Sequence, residues 1–395
     1  MEYIKIAKEK FESLKNKEIV NILAFESSCD ETSVAVVQNG RKILSNIVAS
    51  QIDIHTRFGG VVPEVASRNH IMAIKSLCLQ ALSQANMTFD DIDAIAVTYG
   101  AGLVGALMVG VNYAKALAYS LEKPLLAVSH IHGHIAANYL SHQTLTPPFV
   151  CIMVSGGHTA ILEVEDYTKF KLLGTTLDDA IGEAFDKVAR VVGLGYPGGP
   201  KVDNMAKQGQ PNIEFLSHTI LSGTYDFSFS GVKTAVINYI NSKKQKNEEI
   251  CVADVCASFQ KTVAKIICEK TFKACKDKNI NKLVAAGGVA ANSFLNKKLN
   301  ELALENGIEL FTPVLSLCTD NAAMIGSAAY YNLKAGKSLA DLSLGAKSRI
   351  DLETCGEWEL KLSACWKFFL ATGKKAFAKA KVILTLTNKI NTIKK

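Results

Sequence analysis

The sequence predicts an α/β protein built as two halves of like plan, and three observations carry that prediction. Short apolar runs of strand length alternate with longer stretches of helical periodicity along the chain. A strand, small polar turn, strand pattern recurs: residues 22–25 and 34–37 flank one turn, and 150–154 and 159–164 flank another. Ser27 and Ser155, which open the two turns, lie 128 positions apart, about one domain length. Duplicated α/β units leave a cleft where ligands bind.

Composition supports a folded chain of that size. Of 395 residues, 48% are apolar and 21% charged, and only 8 are proline, which excludes a disordered polar polymer. The expected division is an N-terminal extension over 1–21, a first α/β half over 22–146, a second over 147–345 whose last helix packs back on the first, and a basic extension over 346–395.

Taken in order, residues 1–17 are charged every few positions and lack the apolar core of a secretory signal. Glu2, Glu9, Glu12 and Glu18 interleave with lysines, unlike an acid-poor transit peptide, so a cytoplasmic location is expected. Residues 94–114 carry no charge and are long enough to span a bilayer. Gly100, Gly102, Gly105 and Gly110 instead favour a strand over 94–98, a glycine turn and a helix to about 121, so no membrane partner is expected. Pro147-Pro148 ends the linker between halves, 141–148. Residues 177–192 read as a helix with Asp179, Glu183 and Asp186 on one face, a solvated face by default. The lysine-rich stretch 242–249 reads as a solvated loop, 282–285 as a strand and 322–331 as a helix. Residues 358–387 read as an amphipathic, lysine-studded extension.

The net charge of +7 is local: residues 356–395 hold nine lysines against Glu357 and Glu359, which leaves the other 355 residues neutral. Ten cysteines without a single CxxC pair fit free thiols in a reducing compartment better than a disulfide scaffold.

The chemistry-bearing motifs follow. In Ser129-His-Ile-His-Gly-His134, His130 and His134 share one helix face, as two ligands of one metal do, or as two ordinary core histidines do. No glutamate lies between them, which weakens a metallopeptidase reading. Asp320 in Cys318-Thr-Asp-Asn321 is a candidate third ligand, and equally a candidate N-cap for the helix that follows. Val154-Ser-Gly-Gly-His158, between two strands, and Ala285-Ala-Gly-Gly-Val-Ala-Ala-Asn292, between a strand and a helix, are turns whose backbone N–H groups can approach a phosphate. Neither matches a Walker A or dinucleotide fingerprint. Tyr196-Pro-Gly-Gly-Pro200 reads as an exposed rigid turn ahead of a helix carrying Asp203. Asp30 and Glu31 end the first turn, facing the expected cleft.

These motifs occur together and in order with Phe25-Glu-Ser-Ser-Cys-Asp-Glu-Thr32, Gly59-Gly-Val-Val-Pro-Glu64, Ala66-Ser-Arg68, Gly102-Leu-Val-Gly105, Gly182-Glu-Ala-Phe-Asp-Lys187 and Phe227-Ser-Phe-Ser-Gly231. From about 22 to 345 the chain resembles the tRNA N6-adenosine threonylcarbamoyltransferase family (TsaD type), in its bacterial and organellar branch. The resemblance implies a duplicated actin-like, Hsp70-like ATPase fold. It implies transfer of a threonylcarbamoyl group from threonylcarbamoyl-AMP to N6 of the adenosine 3′ of the anticodon. His130, His134 and Asp320 match the family's ligands for one divalent metal per subunit, iron or zinc, with iron favoured. Met153, Val154, Ser155, Gly156, Gly157, Asp186, Gly199, Asp203 and Asn292 match its adenylate-binding positions, and Asp30 and Glu31 are the catalytic candidates, positioning the adenine amine or assisting removal of its proton. Implied partners are tRNA, a paralogous actin-like subunit and a small ATPase, or a second copy in a homodimer. A metal-dependent (glyco)peptidase and a nucleotide-regulated binding module of the actin-like class are the alternatives.

Overall fold

The computed structural model describes residues 2–215, 223–351 and 353. Two sheets of matching plan carry the chain. In the first, β1 (Asn21–Glu26), β2 (Glu31–Gln38) and β3 (Lys42–Ser50) form an antiparallel meander. Beyond β1, β4 (Ala94–Gly100) and β5 (Leu125–Ser129) add in parallel. In the second, β6 (Phe149–Val154), β7 (Thr159–Asp166) and β8 (Lys169–Thr175) repeat the meander, and β9 (Lys282–Ala286) and β10 (Glu309–Phe311) repeat the parallel additions. A short strand, β11 (Leu339–Ala340), closes the first sheet against β5, giving the orders β11-β5-β4-β1-β2-β3 and β10-β9-β6-β7-β8. β1 and β6 occupy equivalent places, so Ser27 and Ser155 follow equivalent strands, as the repeated pattern predicts.

The strands read as continuous apolar runs because helices cover both faces. Along the first half run α1 (Glu2–Leu14), α2 (Ile52–Thr56), α3 (Pro63–Gln84), α4 (Val104–Ser120) and α5 (His130–Ser141). The second half contributes α6 (Ile181–Val191), α7 (Gly198–Ala206), α8 (Ser230–Gln245), α9 (Val252–Lys278) and α10 (Ser293–Glu305). The last two are α11 (Leu315–Cys318) and α12 (Ala322–Lys334). Three cores result: α3 and α4 on the outer face of the first sheet, α6–α10 on the outer face of the second, and α5 with α12 between the sheets. Every residue from His130 to Leu140 is buried, which is why α5 has no charged face. The two central helices cross closely, and a Cβ on Gly133 of α5 would stand 2.6 Å from Ile325 of α12.

Residues 2–14 fold onto this body. Tyr3, Ala7, Phe11 and Leu14 of α1 are buried at helical spacing, and Lys334 Nζ donates to the carbonyls of Leu14, Lys15 and Lys17 at its C-terminal end.

Three local expectations are corrected. The helix expected over 177–192 starts only at Ile181, and Asp179 lies before it, paired with Lys187 and Lys233. Asp178 stops the helix from extending backwards because its carboxylate accepts from Phe229 N at 2.8 Å and from Ser228 and Ser230 hydroxyls. In the stretch 242–249, residues 242–245 are the last turn of α8 and only 246–249 are loop, with Lys243 paired to Glu248. The turn at 196–200 is half-buried, and α7 begins inside it at Gly198. Residues 94–114 form β4, a turn and part of α4, and among the described residues no helix is long and apolar enough to cross a membrane. The extension expected over 358–387 lies outside the described residues.

Candidate metal centre and adjoining cleft

His130 opens α5 directly after β5, and His134 follows one turn later, so both Nε2 atoms reach the same point, 3.1 Å apart. Asp320 arrives from the loop between α11 and α12, its Oδ1 3.4 Å from His130 Nε2 and 3.2 Å from His134 Nε2. It is not the cap of α12. Asn321 takes that place, its Oδ1 accepting from Met324 N at 3.1 Å. Two imidazole nitrogens and a carboxylate oxygen so spaced fit one ion: ligands bonded at about 2.0–2.1 Å in tetrahedral angles stand about 3.3 Å apart. The donor set suits a divalent metal, and among the described residues the two Nε2 atoms face each other and Asp320.

A residue that sequence reading left without a role supports this group. Glu26, the last residue of β1, is 1% exposed. Its Oε1 accepts from Ser28 N at 2.5 Å, and its Oε2 accepts from Thr98 Oγ1 at 2.5 Å and lies 3.2 Å from His130 Nδ1. Ser28 Oγ is 3.1 Å from the same Nδ1. The spatial order β5-β4-β1 creates this cluster, since each strand ends by delivering one member: His130, Thr98 and Glu26. The signal available in sequence was a glutamate at a strand end beside the first turn.

Charge is concentrated here. Burial is the largest influence on Glu26 and Asp320 and would raise both, but the His130 charge together with hydrogen bonds from His130 and Ser28 to Glu26 and from His134 to Asp320 outweighs it, holding Glu26 below the usual carboxylate range and Asp320 at about 2. Burial would lower His130, yet Asp320 and Glu26 push it up to about 9. Burial, and the neighbouring imidazoles of His130 and His134, hold His158 down to about 4, so it is neutral. Glu31 is pushed up to about 9 by burial and by Asp320 and Asp30. Its Oε1 accepts from Ser50 Oγ at 3.1 Å, and Asp30 is buried beside it.

Next to the triad, a cleft of about 390 Å³ is lined by Gly156, Asp186, Gly199, Asp203 and Asn292 together with Gly288 and Thr319, the residue before Asp320. Asp186 Oδ1 accepts from Gly198 N at 2.7 Å, and burial raises its pKa. Asp203 Oδ1 accepts from Ser293 Oγ at 2.8 Å. Asn292 caps α10, accepting from Leu295 N at 2.9 Å while its amide donates to Gln260 Oε1. The hairpin turn at Ser155–Gly157 rests on the N-terminus of α6, where Gly182 N donates to Ser155 O and a Cβ on Gly182 would stand 2.6 Å from Gly156 Cα. Helix N-termini favour anions at such turns. Met153 and Val154 differ from the other positions expected here: both side chains are fully buried, Met153 between the sheets and Val154 in the outer core. They aim the turn as the end of β6 and do not line the cleft.

A family model described as TsaD, tRNA N6-adenosine threonylcarbamoyltransferase, matches residues 42–327. A Clostridium perfringens tRNA N6-adenosine threonylcarbamoyltransferase is 60% identical over 332 residues, 84% of this chain and 98% of its own length. Its Clostridium botulinum (strain Kyoto) counterpart is 58% identical over 82% of this chain and 95% of its own. Among solved structures, full-length HypF in its phosphate- and nucleotide-bound form superposes with a TM-score of 0.55 at 17% identity, over 81% of this chain and 47% of its own. That likeness bears on the fold alone, a duplicated actin-like α/β arrangement. Motif order, family match and relatives agree, and the chain belongs to the tRNA N6-adenosine threonylcarbamoyltransferase family.

Proposed function

We propose that this chain transfers the threonylcarbamoyl group of threonylcarbamoyl-AMP to N6 of the adenosine 3′ of the anticodon in tRNAs that read codons beginning with A. The observation that carries the reading is the adjacency of two features: a His130–His134–Asp320 face and a cleft lined by adenylate-type positions. The N6 amine attacks the carbamoyl carbon, the bond from that carbon to the phosphate oxygen breaks, AMP leaves with the electron pair, and N6 gives up a proton. AMP is a good leaving group, so no protein nucleophile is required.

His130, His134 and Asp320 would hold one divalent metal, whose chemistry when bound is Lewis-acid polarisation of an acyl oxygen. A two-histidine, one-carboxylate face is the ligand set of open iron(II) sites, which favours iron over zinc. Gly156 and Gly157 offer their backbone N–H groups to the phosphate beside the N-terminus of α6, and Ser155 holds the turn in shape by donating its own N–H to His158 O at 2.8 Å. Asp186, Gly199, Asp203 and Asn292 shape the nucleoside end of the cleft. Glu31, pushed up to about 9 by burial and by Asp320 and Asp30, and Asp30 beside it are assigned to the N6 amine, positioning it or assisting removal of its proton.

Residues 22–146 and 147–345 are the two halves of this machine, with 1–21 and 346–395 appended. A paralogous actin-like subunit and a small ATPase are the proposed partners, a homodimer the alternative assembly, and the cytoplasm the compartment. Incubating the protein with threonylcarbamoyl-AMP and unmodified tRNA, with iron or zinc and with or without those partners, tests the reading. Modified adenosine in the digested tRNA is expected; its absence in every combination would refute the function.

A further inference from the structure

Glu26 satisfies two needs that an uncharged side chain would also meet, the Ser28 N–H and the Thr98 hydroxyl. Its third contact is different. Only an acceptor opposite His130 Nδ1 keeps the proton on that nitrogen, and only then does Nε2 turn a lone pair toward His134 and Asp320. The carboxylate is 1% exposed and both its oxygens already accept hydrogen bonds, Oε1 from Ser28 N and Oε2 from Thr98 Oγ1, so it is a fixed acceptor. Ser28 Oγ, also near Nδ1, can donate or accept and therefore imposes no tautomer.

We propose that Glu26 is the positioning residue of the metal centre, fixing the His130 ring and its tautomer so that Nε2 is free to bind a divalent cation. The proposal rests on His130, His134 and Asp320 being the ligands. Glu26→Gln is the discriminating change, because the two ends of the amide are not equivalent in this setting. Ser28 N–H requires the amide oxygen at the Oε1 position, which puts the NH2 group where Oε2 was. That group donates to Nδ1, moves the imidazole proton to Nε2, and closes the metal side. A side chain of equal size thereby inverts the tautomer.

Zinc titrated into the metal-free full-length protein against a competing chelator provides the readout, alongside melting of the metal-free form. Glu26→Gln should weaken zinc binding roughly 10–100-fold while melting close to wild type, and Ser28→Ala should weaken it less. Nitrogen-15 spectra of zinc-loaded wild type should show His130 with its proton on Nδ1. Equal zinc affinity in Glu26→Gln and wild type overturns the proposal, as does an unprotonated Nδ1. Should Glu26→Gln fail to fold, the wild-type spectrum decides alone. Wild type that binds no zinc or iron defeats the ligand reading itself, a different failure from wild type and variant binding equally well.

Discussion

Oδ1 of Asp320 stands 3.2 Å from Nε2 of His134, although 186 residues separate them in the chain. That approach is open to Asp320 because its neighbour Asn321 caps α12, accepting from Met324 N and donating to the carbonyl of Thr319. Capping and ligation, which a lone aspartate before a helix leaves ambiguous, are divided between adjacent residues.

Asp320→Asn and Asn321→Ala should therefore have opposite phenotypes. Asp320→Asn is expected to lose metal and activity while the metal-free protein keeps a cooperative melt with α12 still capped, lower only by the stability that the Asp320 charge gives beside His130. Asn321→Ala should cost at least about 1 kcal/mol of stability, the usual loss for a cap. Elemental analysis and thermal melting of both variants check this. Bound metal and full activity in Asp320→Asn would exclude a ligand role.

Replacing both His130 and His134 with Ala should abolish metal binding and transfer together. The helix is buried on every side, so the truncations leave small voids that lower stability by about 1–3 kcal/mol without preventing a cooperative melt. A metal-free double variant that retains transfer would contradict the mechanism.

The metal-free protein should respond to pH in one direction. His130, folded at about 9 against an ordinary 6.5, contributes stability that is complete below about pH 6.5 and lost as pH rises through 9. Glu31, raised from 4.5 to about 9, acts in the same sense, because the unfolded chain ionises first. Melting temperature should fall between pH 6.5 and 9. Zinc must displace the His130 proton, so its affinity should rise about tenfold per pH unit up to about 9 and then level off. Asp320, at about 2, contributes stability present above about pH 3.8 and lost only as pH falls through 2. Flat affinity from pH 7 to 9 would contradict the assigned charges.

Gly182→Ala separates the cleft from the metal. The added Cβ meets backbone, 2.6 Å from Gly156 Cα and 2.8 Å from Ser155 O, and neither atom can rotate away. Displacement of the turn should weaken AMP binding by about tenfold or more, equivalent to 1.4 kcal/mol, with zinc affinity unchanged. AMP and zinc titrations of the variant check both halves of the statement.

Truncation after Gly356 removes the entire formal charge excess. If those lysines meet tRNA phosphates, affinity should drop and the dependence of log K on log salt should flatten by about 0.7–0.9 per lost contact. Filter binding at several salt concentrations measures the slope; an unchanged slope excludes phosphate contacts by the tail.

Local pattern was enough to determine much of this protein. Alternating strand and helix periods give α/β architecture, the repeated strand–turn–strand pattern gives two sheets with β1 and β6 in equivalent places, and four-residue spacing puts His130 and His134 on one face. Each is a short-range property written in consecutive residues. What only tertiary structure decided are the pairings made by sheet order and chain crossing. Helical periodicity through 177–180 did not anticipate that Asp178 bonds the backbone at Phe229 instead. Glu26 read only as the first residue of a polar turn until β4 and β1 set it beside Thr98 and His130, 72 and 104 residues away. Spacing left Asp320 either a ligand or a cap until α12 packed between the sheets, with Asn321 as its cap and Asp320 beside His134. Buried polar groups must find partners wherever the fold places them, and a linear sequence does not specify those distances.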